Sequence, residues 1–191
     1  MKVVAFNGSP RKEGNTCQSL KVVLKELEGE GIDTELIQLG GKSIHGCTAC
    51  YKCVANKDKE CALKTDEVNE YIKKMIEADG IIIGSPVYFS NVTSEVKALM
   101  DRAGLVARAN DNMLKRKVGS SVVAVRRAGA TFAFSAINFF FFIQEMIVPG
   151  SIYWNLAIGK EPGEVLNDEE GMMTFEKLGQ NMAWLIKKIK T

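Results

Sequence analysis

The chain has 191 residues, 46% of them hydrophobic and 25% charged, enough for one domain with its own buried core. Its 25 basic residues are interspersed with 23 acidic ones for a net charge of +2, which gives no reason to expect a nucleic-acid partner. No apolar run reaches the roughly 18 residues of a membrane span, and "MKVVAFNGSP" is too short for a secretory signal, so a cytosolic chain with reduced thiols is expected.

Apolar runs alternate with helical patterns from end to end. "KVVAF" (2–6) is a continuous hydrophobic run of the kind a doubly covered parallel strand shows. "NTCQSLKVVLKELEGEG" (15–31) has helical spacing and terminal glycines to stop it, and "DTELIQL" (33–39) alternates like a strand. Then comes "GCTACYKCVANKDKEC" (46–61), which holds Cys47, Cys50, Cys53 and Cys61, four of the chain's five cysteines. "DEVNEYIKKMIEA" (66–78) predicts an amphipathic helix, "GIIIGSP" (80–86) a buried strand and "SEVKALMDRAG" (94–104) a short helix. "KVGSSVVAV" (117–125) is another strand, and "FAFSAINFFFFIQEMIV" (132–148) a helix buried against a sheet or a partner subunit. "GSIYWNLAI" (150–158) is the last expected strand and "EEGMMTFEKLGQNMAWLIKKIK" (169–190) the closing helix.

Five strands separated by helices imply an α/β chain with a doubly wound parallel sheet covered on both faces. The chain, 1–191, reads as one domain with a cysteine-rich insertion at about 45–64. In such sheets ligands bind beyond the carboxyl ends of the strands, which directs attention to the loops at 7–16, 84–93, 126–131 and 154–168.

"NGSPRKEGNT" (7–16) joins the first strand to the first helix. Free N–H groups and the helix dipole at such a junction favour an anion. Ser9 and Thr16 add hydroxyls, Asn15 an amide and Arg11 a charge. Neither a GK[ST] ending nor GxGxxG is present, so a terminal phosphate monoester is the expected ligand. The plainer alternative is a polar turn with an Asn or Thr cap. "RRAGAT" (126–131) could bring Arg126 or Arg127 near a cofactor, while Ala128 and Gly129 allow close backbone approach; two solvated arginines are the alternative.

The cysteine spacing x2, x2, x7 sets three thiolates around one small object and lets the chain return for a fourth. That favours iron and sulfide over zinc, whose four-cysteine sites come as two separated pairs. Zinc, a disulfide and no metal at all stay open. Cys17 reads as a buried apolar residue. His45 is the single histidine and no G-x-S-x-G elbow exists, so no side-chain catalytic residue is expected.

"NGSPRKEGNT" together with "GSPVYFSNVTSEVKALMDR" (84–102) resembles the flavodoxin-like, NADPH-dependent FMN reductases. With the four cysteines added, the chain is similar to the iron–sulfur flavoproteins of anaerobic prokaryotes, from Val3 to the final helix. The resemblance implies a flavodoxin-like five-stranded sheet of order 2-1-3-4-5. It implies that Ser9, Arg11, Asn15 and Thr16 hold the FMN phosphate, and that Pro86, Val87, Tyr88, Phe89 and Asn91 meet the ribityl chain and ring. It places a [4Fe–4S] cluster on Cys47, Cys50, Cys53 and Cys61, and it favours a backbone role for 126–129. Trp154 and Asn155 match a further family stretch, with a buried Trp as the alternative.

The implied activity is electron transfer between a one-electron donor such as ferredoxin, or NAD(P)H, and an acceptor, in a homodimer or homotetramer. A cluster-free NAD(P)H-dependent FMN or quinone reductase, and a non-catalytic flavin redox sensor, are the alternatives.

Overall fold

Alternation along the strands decides which face each residue serves. In β1 (Lys2–Asn7), Val3 and Ala5 pack on one face and Val4 and Phe6 on the other, all fully buried. In β3 (Gly80–Pro86), Ile82 opposes Ile81 and Ile83 in the same way. A strand covered on both faces favours apolar side chains on each, hence the apolar runs, although β4 (Val118–Val125) also buries Ser120 and Ser121.

The computed structural model describes residues 1–190 and has one five-stranded parallel sheet in the order β2-β1-β3-β4-β5. Its other strands are β2 (Asp33–Gln38), β4 (Val118–Val125) and β5 (Leu156–Ile158). Helices α1 (Asn15–Gly29) and α6 (Glu169–Lys190) bury Leu20, Leu27, Phe175 and Met182 on one face. The opposite face carries α3 (Val68–Glu77), α4 (Ser94–Ala109) and α5 (Ala130–Ile143). The fold is the flavodoxin-like doubly wound sheet that the sequence led us to expect. Between β2 and α3 runs the cysteine segment, with one short helix, α2 (Lys52–Asn56).

Three elements differ from expectation. The strand expected at 150–158 is ordered as a strand only over Leu156–Ile158. Upstream, Ser151 Oγ donates to the Tyr153 carbonyl (2.7 Å), a local side-chain bond that competes with a sheet ladder. Helix α4 continues five residues past the expected stop at Gly104, and the added turn buries Val106 and Ala107 in the core. The Phe-rich helix ends at Ile143, and Glu145 at φ 55° turns the chain so that Ile147 bridges to Val118. Among the described residues no helix is long and apolar enough to cross a membrane.

Candidate functional site

The loop after β1 is held by side chains from two strands. Asn7 Oδ1 accepts from the Ser9 N–H (3.1 Å), while its Nδ2 donates to the Lys12 carbonyl (3.3 Å) and to Gln38 Oε1 (2.7 Å). Gln38 Nε2 in turn donates to the carbonyls of Ser9 and Gly40, both at 2.7 Å. Ser9 Oγ accepts from the Arg11 N–H (3.2 Å). The loop is thereby shaped from below, which leaves its upper side free. Helix α1 starts there with no side-chain cap and no acidic residue in its first turn, so neither Asn15 nor Thr16 acts as a cap. Thr16 Oγ1 is buried with no partner, although the great majority of buried hydroxyls have one.

Above this loop lies a cavity of about 190 Å³ lined by Ser9, Arg11, Asn15, Thr16, Pro86, Val87, Tyr88 and Arg126, with Ala124, Gly159 and Lys160. Its lining has three cations and no carboxylate. A second cavity of about 300 Å³ shares Val87 and Arg126 and adds Val125, Arg127 and Ala128. An uncapped helix start, an orphaned hydroxyl and three cations suit a phosphate, and the apolar Pro86–Val87 edge suits a flat ring beside it. These residues therefore fit FMN.

Phe89, Asn91 and Gly129 line neither cavity and form the rim. Tyr88 and Asn91 exchange backbone hydrogen bonds of 2.8 and 3.0 Å, closing a two-residue turn on Phe89 (φ 47°) and Ser90 (φ 60°). Positive φ at both central residues marks a type I′ turn, which favours Asn-Gly rather than Phe-Ser. Asn91 Oδ1 accepts from the Val92 N–H (2.8 Å), and the Phe89 ring is fully exposed. Gly129, at φ 87°, starts α5, and a Cβ on it would lie 2.8 Å from Ser90 Oγ. The two rim loops thus touch at a position that admits only glycine.

All five cysteines are free thiols, and Cys17 is buried on α1. Cys47, Cys50, Cys53 and Cys61 line one small cavity of about 10 Å³, roughly the space of one water, together with Arg102. Cys53, on α2, and Cys61 are buried; Cys47 and Cys50 are exposed on irregular chain. Burial, with Cys61 and Cys47 nearby, pushes the Cys53 thiol up, while the Lys52 N–H and the Thr48 hydroxyl pull Cys50 down. Four non-glycine residues here, Ala49, Tyr51, Lys57 and Lys59, have φ between 51° and 64°, which costs about 1–2 kcal/mol each.

Among the described residues no three His, Cys, Asp or Glu side chains stand at single-ion spacing. A zinc site needs four ligands about 2–2.3 Å from one point. A cluster distributes its cysteines over separate irons, so four thiols around one small cavity, two buried and two exposed, suit its donor set better than a single ion's. His45 is used through its backbone, its N–H donating to Asp66 Oδ2 (3.0 Å), and its side chain is exposed.

Several residues that position the site carry no motif signal. Asn69 clamps the Cys61 backbone from both sides, its Oδ1 accepting from the N–H (2.8 Å) and its Nδ2 donating to the carbonyl (2.9 Å). Gln38, Asp66 and Lys160 act from outside the two loop motifs. Trp154 and Asn155 sit away from the phosphate loop, on an open groove of about 520 Å³ along α5, and Trp154 is half exposed rather than buried.

Residues 1–161 match the family model of NADPH-dependent FMN reductases. An iron–sulfur flavoprotein of Methanocaldococcus jannaschii is 40% identical over 197 residues, covering all of both chains. Among solved structures, a flavone reductase superposes with a TM-score of 0.74 at 20% identity, over all of this chain and 64% of that one. An archaeal flavodoxin does so with a TM-score of 0.63 at 16% identity, over 98% and 99%. These two show the fold alone. The chain belongs to the NADPH-dependent FMN reductase family, and within it to the iron–sulfur flavoproteins, and is an FMN-dependent oxidoreductase.

Proposed function

We propose that the chain passes electrons between a one-electron donor, such as a ferredoxin, or NAD(P)H, and a two-electron acceptor, using FMN and a [4Fe–4S] cluster. When bound, FMN supplies one- and two-electron chemistry and the cluster one-electron chemistry. Ser9, Arg11, Asn15 and Thr16 hold the phosphate, aided by Lys160; Pro86, Val87 and Tyr88 seat the ring from one side and Arg126 and Ala128 from the other. Phe89, Asn91 and Gly129 act as the rim that sets access to the ring. Cys47, Cys50, Cys53 and Cys61 ligate the cluster.

The observation that carries this reading is the convergence of four free thiols on one cavity, on the same side of the sheet as α4, which starts just after the flavin loop. The small size of that cavity favours a second reading, an NAD(P)H-dependent FMN or quinone reductase in which the segment is only structural. Anaerobic purification with iron, sulfide and flavin assays on one sample separates them. The first reading requires about four irons and four sulfides per chain beside bound FMN; FMN without iron supports the second.

A further inference from the structure

Arg102, on α4, is 1% exposed and is the largest fully buried side chain among the described residues. A guanidinium taken out of water needs partners for its charge and its N–H groups. Here they all come from the cysteine segment and its end. Nε donates to Cys61 Sγ (3.2 Å), Nη1 to the His45 carbonyl (3.1 Å) and Asp66 Oδ2 (2.5 Å), and Nη2 to the Leu63 carbonyl (2.9 Å). The Asp66 carboxylate is equally buried and also accepts from the N–H groups of His45 and Val68. One side chain thus ties together residues 45, 61, 63 and 66, the two ends of the segment. A charge pair serving stability alone would need no bond to a sulfur, and an apolar pair can be as stable.

We propose that Arg102 is the positioning residue of the cysteine segment: it closes residues 45–66 before any metal binds and fixes Cys61 as the one ligand whose sulfur accepts a hydrogen bond from a permanent cation. The second half rests on the iron–sulfur reading above; the first does not. A cationic N–H on a ligand sulfur favours the more negative, reduced state of a cluster and so raises its potential. Arg102 also sits two turns along α4 from the residues that close the flavin loop, so the segment and that loop share one rigid element.

The test compares wild type with the double variant Asp66→Asn/Arg102→Met, which removes both buried charges together, and with Arg102→Lys, which keeps the cation and loses the Nε–H. In the metal-free, FMN-loaded full chain, amides of 45–66 should exchange at least about tenfold faster in the double variant, with β1, β3 and FMN content unchanged. Equal exchange overturns the positioning role. Should the double variant fail to fold, Arg102→Lys carries the comparison with a smaller change in the same direction. In the iron-loaded protein, a potentiometric titration should give a more negative midpoint for the double variant, with Lys restoring part of the shift. Equal midpoints at equal iron content overturn the role of the Nε–H bond to the Cys61 sulfur. Wild type that binds no iron while the exchange difference persists sinks the cluster reading, and that bond's redox role with it, but leaves the positioning role standing.

Discussion

A buried hydroxyl without a partner burdens the folded chain until a ligand satisfies it. Thr16 Oγ1 is such a group, at the foot of the anion cavity. Thr16→Val should therefore leave the FMN-free protein as stable or up to about 1 kcal/mol more stable, and weaken FMN binding about tenfold. Urea unfolding and a flavin-fluorescence titration read the two effects separately. Asp66 behaves differently. Burial pushes its carboxyl up, but Arg102 and the His45 and Val68 N–H groups outweigh this and hold it below the usual range. A carboxyl depressed in the folded state adds stability at neutral pH that is lost as pH falls from about 3.9 through the lowered value. The urea midpoint should thus decline below about pH 4, and Asp66→Asn should be destabilised by about 3–5 kcal/mol at pH 7, where it leaves Arg102 unpaired. Ser9, Arg11, Asn15 and Thr16 are legible as candidates because their loop joins a strand end to a helix start, where free N–H groups face one point, and because the family resemblance rests on that loop. Gln38 and Asn69 were not, because their partners are brought to them only by folding.

The turn at 88–91 stores strain at the mouth of the site: Phe89 and Ser90 hold φ values that glycine and asparagine adopt far more easily. Phe89→Asn/Ser90→Gly should raise stability by about 1 kcal/mol, a shift of roughly 2–4 °C in Tm, and should alter access to the ring because the Phe89 side chain is gone. An unchanged or lower Tm would show that the turn is not strained. Gly129→Ala, by contrast, should destabilise by about 1–3 kcal/mol, since its Cβ meets Ser90 at a positive φ. Elements with a clear hydrophobic pattern are legible to within a residue or two, among them the apolar run of β3 at 80–86 and the amphipathic α6 at 169–190. Helix α4 runs past its glycine and β5 is only three residues long, because core burial of Val106 and Ala107 and a local Ser151 bond decide them. The short helix carrying Cys53 had no periodicity to read.

Across the whole chain, the alternation of Val3 and Ala5 against Val4 and Phe6 requires helices on both faces, and the family resemblance carried by the two motifs implies the strand order found. One face of α5 remains uncovered, with Phe132, Phe139, Phe142 and Ile143 more than half exposed next to Tyr153 and Trp154. An apolar area of this kind suits the homodimer or homotetramer that the family resemblance implies. Sedimentation should give a multiple of the 21.0 kDa chain mass, and Phe139→Glu should shift it toward the monomer; a wild-type monomer at micromolar concentration would contradict the proposed assembly. This FMN-dependent enzyme is proposed to carry an iron–sulfur centre as well. Its most direct test is the iron, sulfide and FMN content of one anaerobically purified sample of the full chain. About four irons, four sulfides and one FMN per chain, with iron lost when Cys53 and Cys61 are replaced by serine, is the result expected. FMN at full occupancy with no iron or sulfide would contradict it.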